Sequence, residues 1–501
     1  MPEKSTGHRV VRKIGSSHVV WFSETNRWVE FREPAWIVYE SLGRQEKETE
    51  TVARLSGRYG LPADEAVRFY REIAAALEEA AGGLPVIDNP GNGQNKHPGE
   101  TTPAQASDIR VLPPRPLHHL PPPGRRTRTR HYNANNRTFT ITYCSPAVEF
   151  LIHRPLAHLE TGKGGESRLE LVLHEEKGDG GADSNEDGDT GRPPRTWYAR
   201  VTATGTGNPE HCAFYDAGML KHKVYNEINN YIHGMRGEEW MCHIHASALT
   251  DGHQAVLLPS ASGSGKSTMA ALLQLPAAIT GYQHIDNRET EPGEEESLKL
   301  AGYKQTARKP GSRRQVPDEP APSGPTGYNP ATGNPVNLKT AGSRDLCFMS
   351  DDFTPVAAGT LMAYPFPAAI NIKEGSFRFL SAWYDPAEDA DASCSYPVPK
   401  TDRFLRPRFP GREPFSPRPV TAMVFLKYGG EEGISIEKMD TLSALEAFHR
   451  EAWVSQNPAH AGKFIDWFVT VSHYRLVYND SSRAIEAIRN LFDRTILQPP
   501  E

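Results

Sequence analysis

Cysteine is scarce in this chain of 501 residues: there are five, Cys144, Cys212, Cys242, Cys347 and Cys394, scattered, odd in number and without a CxxC pair. That argues against a disulfide framework or a zinc ribbon and fits a reducing cytoplasm. No apolar run reaches the roughly 20 residues that span a bilayer, so no membrane role is expected. The opening MPEKSTGHRVVRKIG is basic but has no apolar core of the kind a secretory leader carries. Positive charge is not in excess either. Lys and Arg number 56 against 62 Asp and Glu, a net charge of −6, which argues against a dedicated nucleic-acid binder. No internal repeat is visible. Proline and glycine are plentiful, 42 of each, while only 37% of residues are hydrophobic. Unfolded connectors between folded modules are the expected consequence.

Residues 8–81 read as a small domain. His18 to Phe22 and Arg27 to Phe31 are β-rich and flank Ser-Glu-Thr-Asn, a hairpin signal. Three helical patterns follow, over 34–43, 49–59 and 64–79, the order of a winged-helix module. Residues 82–137 are Pro-, Gly- and Asn-rich and read as a linker. Their LPPRPLHHLPPPGRRTRTR run is also suited to docking a polyproline-binding partner or an anionic surface, but a semi-rigid solvated spacer is the preferred reading. From 138 to 495 the pattern is that of an α/β domain with two low-complexity inserts, about 175–195 and 283–343. The first insert has Asp183, Asn185, Asp187 and Gly188 at calcium-loop spacing. The twelfth position is Pro194 and no helices flank it, so calcium is rejected.

The chemistry concentrates in AVLLPSASGSGKSTMAALL, residues 255–273. A buried strand, a Gly/Ser loop and a helix opening at Thr268 form the context of a phosphate-binding loop. Ser260, Ser262, Gly263, Ser264, Gly265, Lys266, Ser267 and Thr268 are the expected nucleotide-binding residues. Backbone N–H groups from Gly263 to Ser267 would wrap a phosphate. Lys266 would reach the β/γ-phosphates, and the Ser267 hydroxyl would ligate Mg²⁺. Ser260 stands where GxxxxGK[ST] has its first glycine, so a less tight turn is expected there.

Three further segments accompany the loop. Leu346 to Asp352 is an apolar strand ending in two acids, as a Walker-B-type element requires. One acid can hold the metal, with Asp351 the candidate, and the other can accept a hydroxyl proton. Cys242 to Leu249 reads as one strand, in which alternation puts His243 and His245 on one face. A pair of satisfied strand histidines is as good a reading as a functional one, and zinc lacks a third ligand. Tyr364-Pro365-Phe366-Pro367 leads into a strand carrying Lys373, either a surface lysine or a site residue.

In the order HIHASAL, AVLLPSASGSGKSTMAALL, SDDF and PFPAAINIK, with TAMVFLKYGG later, the chain resembles the HPr kinase-related proteins. The resemblance implies the fold shared by the HPr kinase/phosphorylase catalytic domain and phosphoenolpyruvate carboxykinase. It also implies ATP and Mg²⁺ as cofactors, and a transfer centre of Lys266, Ser267, Asp351, Asp352 and His245. Asp352 is the expected base, with His245 orienting it or sharing its proton. Residues 23–80 resemble a PqqD-like peptide-recognition module, which implies capture of a leader peptide along a sheet edge to which Val10, Val11 and Ile14 contribute. The alternative for that module is a generic DNA-binding winged helix. Against it, the third helix carries Asp64, Glu65, Glu72, Glu78 and Glu79.

The expected fold is therefore an α/β (α+β) P-loop kinase domain with a small N-terminal winged-helix-like domain and long disordered inserts. The expected activity is a cytoplasmic ATP/Mg²⁺-dependent serine/threonine-type kinase whose substrate is a peptide or small protein. A nucleotide-dependent switch and a kinase of a small-molecule hydroxyl stay open. The insert's composition cannot bury enough apolar surface to offset ordering entropy. Replacing 284–342 by a short Gly/Ser link should thus leave a single cooperative thermal transition, and its loss would show that the insert packs on the core.

Overall fold

The computed structural model describes residues 9–23, 25–81, 127–162, 167–177, 195–203, 210–214, 216–261, 263–275, 327–328, 335–336, 346–373, 376, 380, 402–408, 414–429, 433–448 and 451–494. The first module contains β1 (Arg9–Ile14), β2 (Ser17–Phe22), β3 (Arg27–Phe31), α1 (Glu33–Gly43), α2 (Glu48–Tyr59) and α3 (Ala63–Ala80). Next come β4 (Arg128–Ala134), β5 (Arg137–Tyr143), α4 (Pro146–His153), β6 (Glu160–Thr161), β7 (Leu169–Lys177), β8 (Arg195–Ala203), β9 (Glu210–Phe214) and α5 (Ala217–His233). The P-loop region has β10 (Trp240–Ile244), β11 (Ala246–Thr250), β12 (Ala255–Pro259) and α6 (Lys266–Leu273). It is followed by β13 (Gly327–Tyr328), β14 (Pro335–Val336), β15 (Cys347–Ser350), β16 (Thr354–Ala357), β17 (Met362–Ala363), β18 (Ile370–Lys373) and β19 (Asp402–Leu405). The chain closes with β20 (Arg418–Tyr428), β21 (Ile434–Lys438), α7 (Thr441–Phe448), β22 (Ala452–Val454), α8 (Pro458–Phe468), β23 (Ser472–Tyr478) and α9 (Ser481–Arg494).

In the first module the sequence pattern indicates a hairpin, and the structure adds β1 as a third antiparallel strand, in the order β1-β2-β3. Alternation then gives the sheet two working faces. Val11, Val20, Phe22, Val29 and Phe31 pack onto the module's helices. Ile14, Val19 and Trp28 point the other way, into a core supplied by the rest of the chain. The module is docked rather than only tethered. Trp28 lies 5.7 Å from Phe464, and the Arg12 guanidinium grips Asp466 at 2.6 and 2.9 Å. The side chains of Val11 and Ile14 are used in packing, Val10 lies near α8 at Gly462, and β1 stands at the edge of its sheet.

The expected linker boundary also moves. β4 lies inside 82–137, because Arg130, Tyr132 and Ala134 alternate as inward residues. Arg130 is buried and is tolerated because its guanidinium reaches Glu149 at 2.6 Å and Glu160 at 2.7 Å. The basic run thus ends in internal ion pairs, while its proline-rich part lies outside the described residues. β4 joins a six-stranded sheet, β6-β4-β5-β7-β8-β9, packed against α4 and α5. In the first insert β7 reaches Lys177 and β8 starts at Arg195. In the second, β13 and β14 pair; the rest of both inserts lies outside the described residues.

A ten-stranded sheet carries the P-loop, in the order β15-β11-β12-β20-β17-β16-β10-β22, with β23 beside β20 and β21 beside β23. β20 runs parallel to both β12 and β23. β12 is buried on both faces, which explains its unbroken apolar run. Val256 and Leu258 face a core with α6 and α9. Ala255 and Leu257 face the core that also receives Val19 of the first module. No helix among the described residues is long and apolar enough to cross a membrane.

Four histidines sit away from the Gly/Ser loop, His153, His158 and His233 half-buried and His473 buried. Burial, the largest cause in each, pushes their imidazoles down to about 3 for His153 and about 4 for the other three. Above the unfolded histidine value, about 6.5, they are neutral in both states. As pH falls from there towards 4 the unfolded chain binds protons that the folded one refuses, so stability is lost on acidification. The melting temperature should fall steadily from pH 6.5 to 5. A flat profile down to pH 5 would contradict the assignment.

Candidate functional site

The P-loop begins where β12 ends at Pro259. Ser260 is buried, and its hydroxyl accepts the Leu426 N–H of β20 at 2.8 Å while donating to the Pro259 carbonyl. Its backbone is not in the left-handed region, which among the loop's described residues only Gly263 (φ 89°) and Gly265 (φ 90°) adopt. Glycine is therefore needed at those two positions and not at Ser260. A Cβ on Gly265 would stand 2.5 Å from the Tyr478 hydroxyl, and one on Gly263 would lie 3.8 Å from the Lys373 ammonium. Lys373 is thus brought to the loop. The helix starts at Lys266, two residues before the expected Thr268, because Gly265 is its N-cap.

The remaining groups arrive at two corners of the sheet. The single strand expected over 242–249 is broken at His245. β10 pairs with β16 and β22, whereas β11 pairs with β12 and β15. Asp351, Asp352 and Phe353 form the second corner, between β15, which follows β11, and β16, which follows β10. Thr354 braces the two corners: its hydroxyl bonds Ser350 at 2.6 Å and donates to the Ala246 carbonyl at 3.1 Å. The corner parts His243 from His245. His243 stacks on Phe353 at 4.8 Å, and burial pushes its imidazole down to about 3.

The two acids also diverge, because Asp352 takes the left-handed conformation (φ 61°) that a non-glycine residue adopts at a cost of about 1 kcal/mol or more. Asp351 Oδ1 accepts from Ser267 at 3.1 Å and from Ser247, and Oδ2 accepts the Asn371 N–H at 3.0 Å. Asp352 Oδ1 lies 3.3 Å from both Lys266 Nζ and His245 Nε2. Those last two atoms are 3.0 Å apart, and His245 Nδ1 is 2.8 Å from Glu451 Oε2. His245 Nε2 therefore donates to Asp352 when the ring is charged and accepts from Lys266 when it is neutral.

Burial disfavours the His245 charge, but hydrogen bonds to Asp352 and Glu451 outweigh it and raise the imidazole to about 9. Burial would also raise Asp352, yet His245, Lys266 and Lys221 hold it well below the usual carboxylate range. Asp351 is raised, by burial first and by the neighbouring Asp352 charge second. Two adjacent acids in unlike electrostatic settings suit two different tasks.

The donor set fits Mg²⁺. Oxygen ligands at right angles on a cation with 2.0–2.1 Å bonds stand about 3 Å apart, and Ser267 Oγ and Asp351 Oδ1 are 3.1 Å apart. No cluster of three His, Cys, Asp or Glu occurs among the described residues, so a cation here would draw its other ligands from phosphate and water, as Mg²⁺ commonly does. The loop fits phosphate: among the described residues the buried Ser264 hydroxyl has no hydrogen-bond partner, and none of them caps the α6 N-terminus through its N-cap side chain. Of the other expected binding residues, Thr268 donates to Ser376 at 3.0 Å, Ser260 serves the sheet junction, and Ser262 lies outside the described residues.

Sequence reasoning missed Glu451, which lies immediately before β22. It also missed Ser247 and Tyr478. Ser247 was within reach, two residues beyond His245 in the same segment, whereas Glu451 and Tyr478 carry no local signal. Comparison of the chain with protein-family models, with curated proteins and with solved structures finds no match.

Gly265→Ala should lower the unfolding free energy by about 1–3 kcal/mol, through the left-handed φ and the Tyr478 contact together. Tyr478→Phe in the same chain should recover the steric part, read as a positive coupling in a double-mutant denaturation cycle. Strict additivity would mean that the hydroxyl does not limit the loop.

Proposed function

We propose that this chain is a cytoplasmic ATP- and Mg²⁺-dependent kinase that transfers the γ-phosphate to a serine or threonine hydroxyl of a peptide or small protein. The observation that carries the reading is the side-by-side arrangement of a Ser267–Asp351 oxygen pair and a Lys266–Asp352–His245 cluster at one P-loop mouth. The first oxygen pair is suited to a metal and the second cluster to moving a proton. The P-loop sequence and the resemblance to HPr kinase-related proteins support the same assignment. The resemblance of residues 23–80 to PqqD-like modules supports a peptide leader as the recognition element.

Bound Mg²⁺ would neutralise charge on the phosphate oxygens. Ser267 and Asp351 would hold it, and the Asn371 N–H and Ser247 hydroxyl fix the Asp351 carboxylate for that task. Lys266, with Lys373 beside Gly263, offsets charge that builds on the transferred group. Asp352 takes the acceptor's hydroxyl proton as the new O–P bond forms and the bond to ADP breaks, and the charged His245 orients that carboxylate through its 3.3 Å contact. Glu451 fixes the ring's orientation from the other nitrogen.

The test is incubation of the protein with γ-labelled ATP and candidate peptides. Lys266→Ala and Ser267→Ala should abolish labelling, and Lys266→Ala should also weaken ATP binding in calorimetry. Asp351→Asn should raise the Mg²⁺ requirement steeply. Asp352→Asn should leave MgATP binding nearly intact while transfer falls by roughly 10²–10⁴-fold. ATP affinity unchanged in a Lys266→Ala/Ser267→Ala double variant would refute the P-loop assignment. Identical Mg²⁺ dependence in the two aspartate variants would refute the division of roles.

A further inference from the structure

Among the described residues, His245 is held on its outer side by one, Glu451. Glu451 takes the ring at Nδ1 and also accepts the His245 backbone N–H at 2.7 Å. Glu451 is the residue immediately before β22, a strand of three residues at the end of the sheet. β22 pairs with β10 through Ala452, Trp453 and Val454, and Ser455 N–H adds one bond to the Met241 carbonyl at 2.9 Å. So short an edge strand has little ladder of its own to hold it. Packing beneath it is incomplete as well: a small cavity lies between Trp28, Phe448, Ala452, Val454 and Phe464.

The outer side of β22 is met by the first module. Asn26 closes the β2–β3 turn in the left-handed conformation (φ 52°). Its Oδ1 accepts the Trp21 indole N–H at 2.8 Å, which fixes the amide plane. Its Nδ2 then donates to the Val454 carbonyl at 3.0 Å. An unbroken series of hydrogen bonds and covalent links thus runs from Asn26 through Val454 and Glu451 to His245, Asp352 and Lys266.

We infer that Asn26 is a positioning residue for His245, acting through β22 and Glu451, so that the first module is a structural part of the transfer site as well as a candidate binder of substrate. The functional half of this inference rests on the kinase reading; the mechanical half does not. A ligand that shifts the β2–β3 turn would, by the same route, shift the imidazole.

Asn26→Asp in the full chain isolates the link. It tolerates the left-handed turn and keeps the acceptor for Trp21, but it has no donor for the Val454 carbonyl. Asn26→Gly, which also suits the turn, is the second variant should the carboxylate disturb folding. Arg12→Ala is the control: it removes the Asp466 ion pair, another docking contact, without touching β22. Two readouts are needed, amide hydrogen exchange over 240–245 and 451–455, and kcat and KM for MgATP with a short serine peptide that lacks a leader. In the Asn26 variants the His245 and Ser455 amides should exchange severalfold faster by local opening. In the same variants kcat should fall about tenfold with KM for MgATP unchanged. Arg12→Ala should match the unmodified protein in both.

Unchanged exchange in both Asn26 variants overturns the inference, whatever the activity. So does an equal effect of Arg12→Ala, which would mean general undocking of the module. If exchange accelerates as expected while the unmodified protein labels no acceptor, the link stands and the kinase reading falls.

Discussion

A buried lysine ammonium is the constraint on which the site depends. Lys266 is 6% exposed, and an uncompensated charge at such depth costs several kcal/mol. The α6 helix starts with this residue, and an anionic partner delivered to it offsets the cost of its burial. Asp352 supplies the opposing charge from a strained corner, shared between Lys266 and His245. The left-handed Asp352 puts its carboxylate within 3.3 Å of the Lys266 ammonium. Removing one partner of such a group typically costs 3–5 kcal/mol, so the cluster is as much a condition of folding as of chemistry.

How much of this was legible in the sequence depended on range. Local signals located the elements well. The helices over 34–43, 49–59 and 64–79 appear as α1, α2 and α3. The Gly/Ser loop before α6 and the strand ending in two acids were likewise visible, because both are short-range patterns. The corner at His245 was not. Its flanking residues, Ile244 and Ala246, are equally compatible with one straight strand, and the break is imposed by which strands lie alongside. Glu451 was out of reach for the same reason: 206 residues separate it from the histidine it holds.

The first module shows a second limit. Hydrophobic alternation in β1 to β3 announces that both faces of the sheet are apolar, yet it cannot say that one of them is spent on another domain. Val19 and Trp28 are the residues that decide, since they enter the same core as Met241, Val454 and Phe464. A tether between modules and a fixed interface are therefore compatible here. The connector sets which chain the module belongs to, and the apolar face sets where it rests. Reach along the connector matters less once the interface has formed.

Ser260 carries a consequence for anyone who would edit this loop. Measured against the general phosphate-loop pattern it is the one mismatch, and restoring glycine would be the natural repair. Here that repair would strip the Leu426 amide of its acceptor inside a closed sheet junction, a loss of about 1–3 kcal/mol, while adding backbone freedom that the position does not use. Averaging over related loops would thus prescribe a damaging change. The departure is local adaptation to the neighbouring strand, and the agreement of a residue with its surroundings outranks its agreement with a pattern.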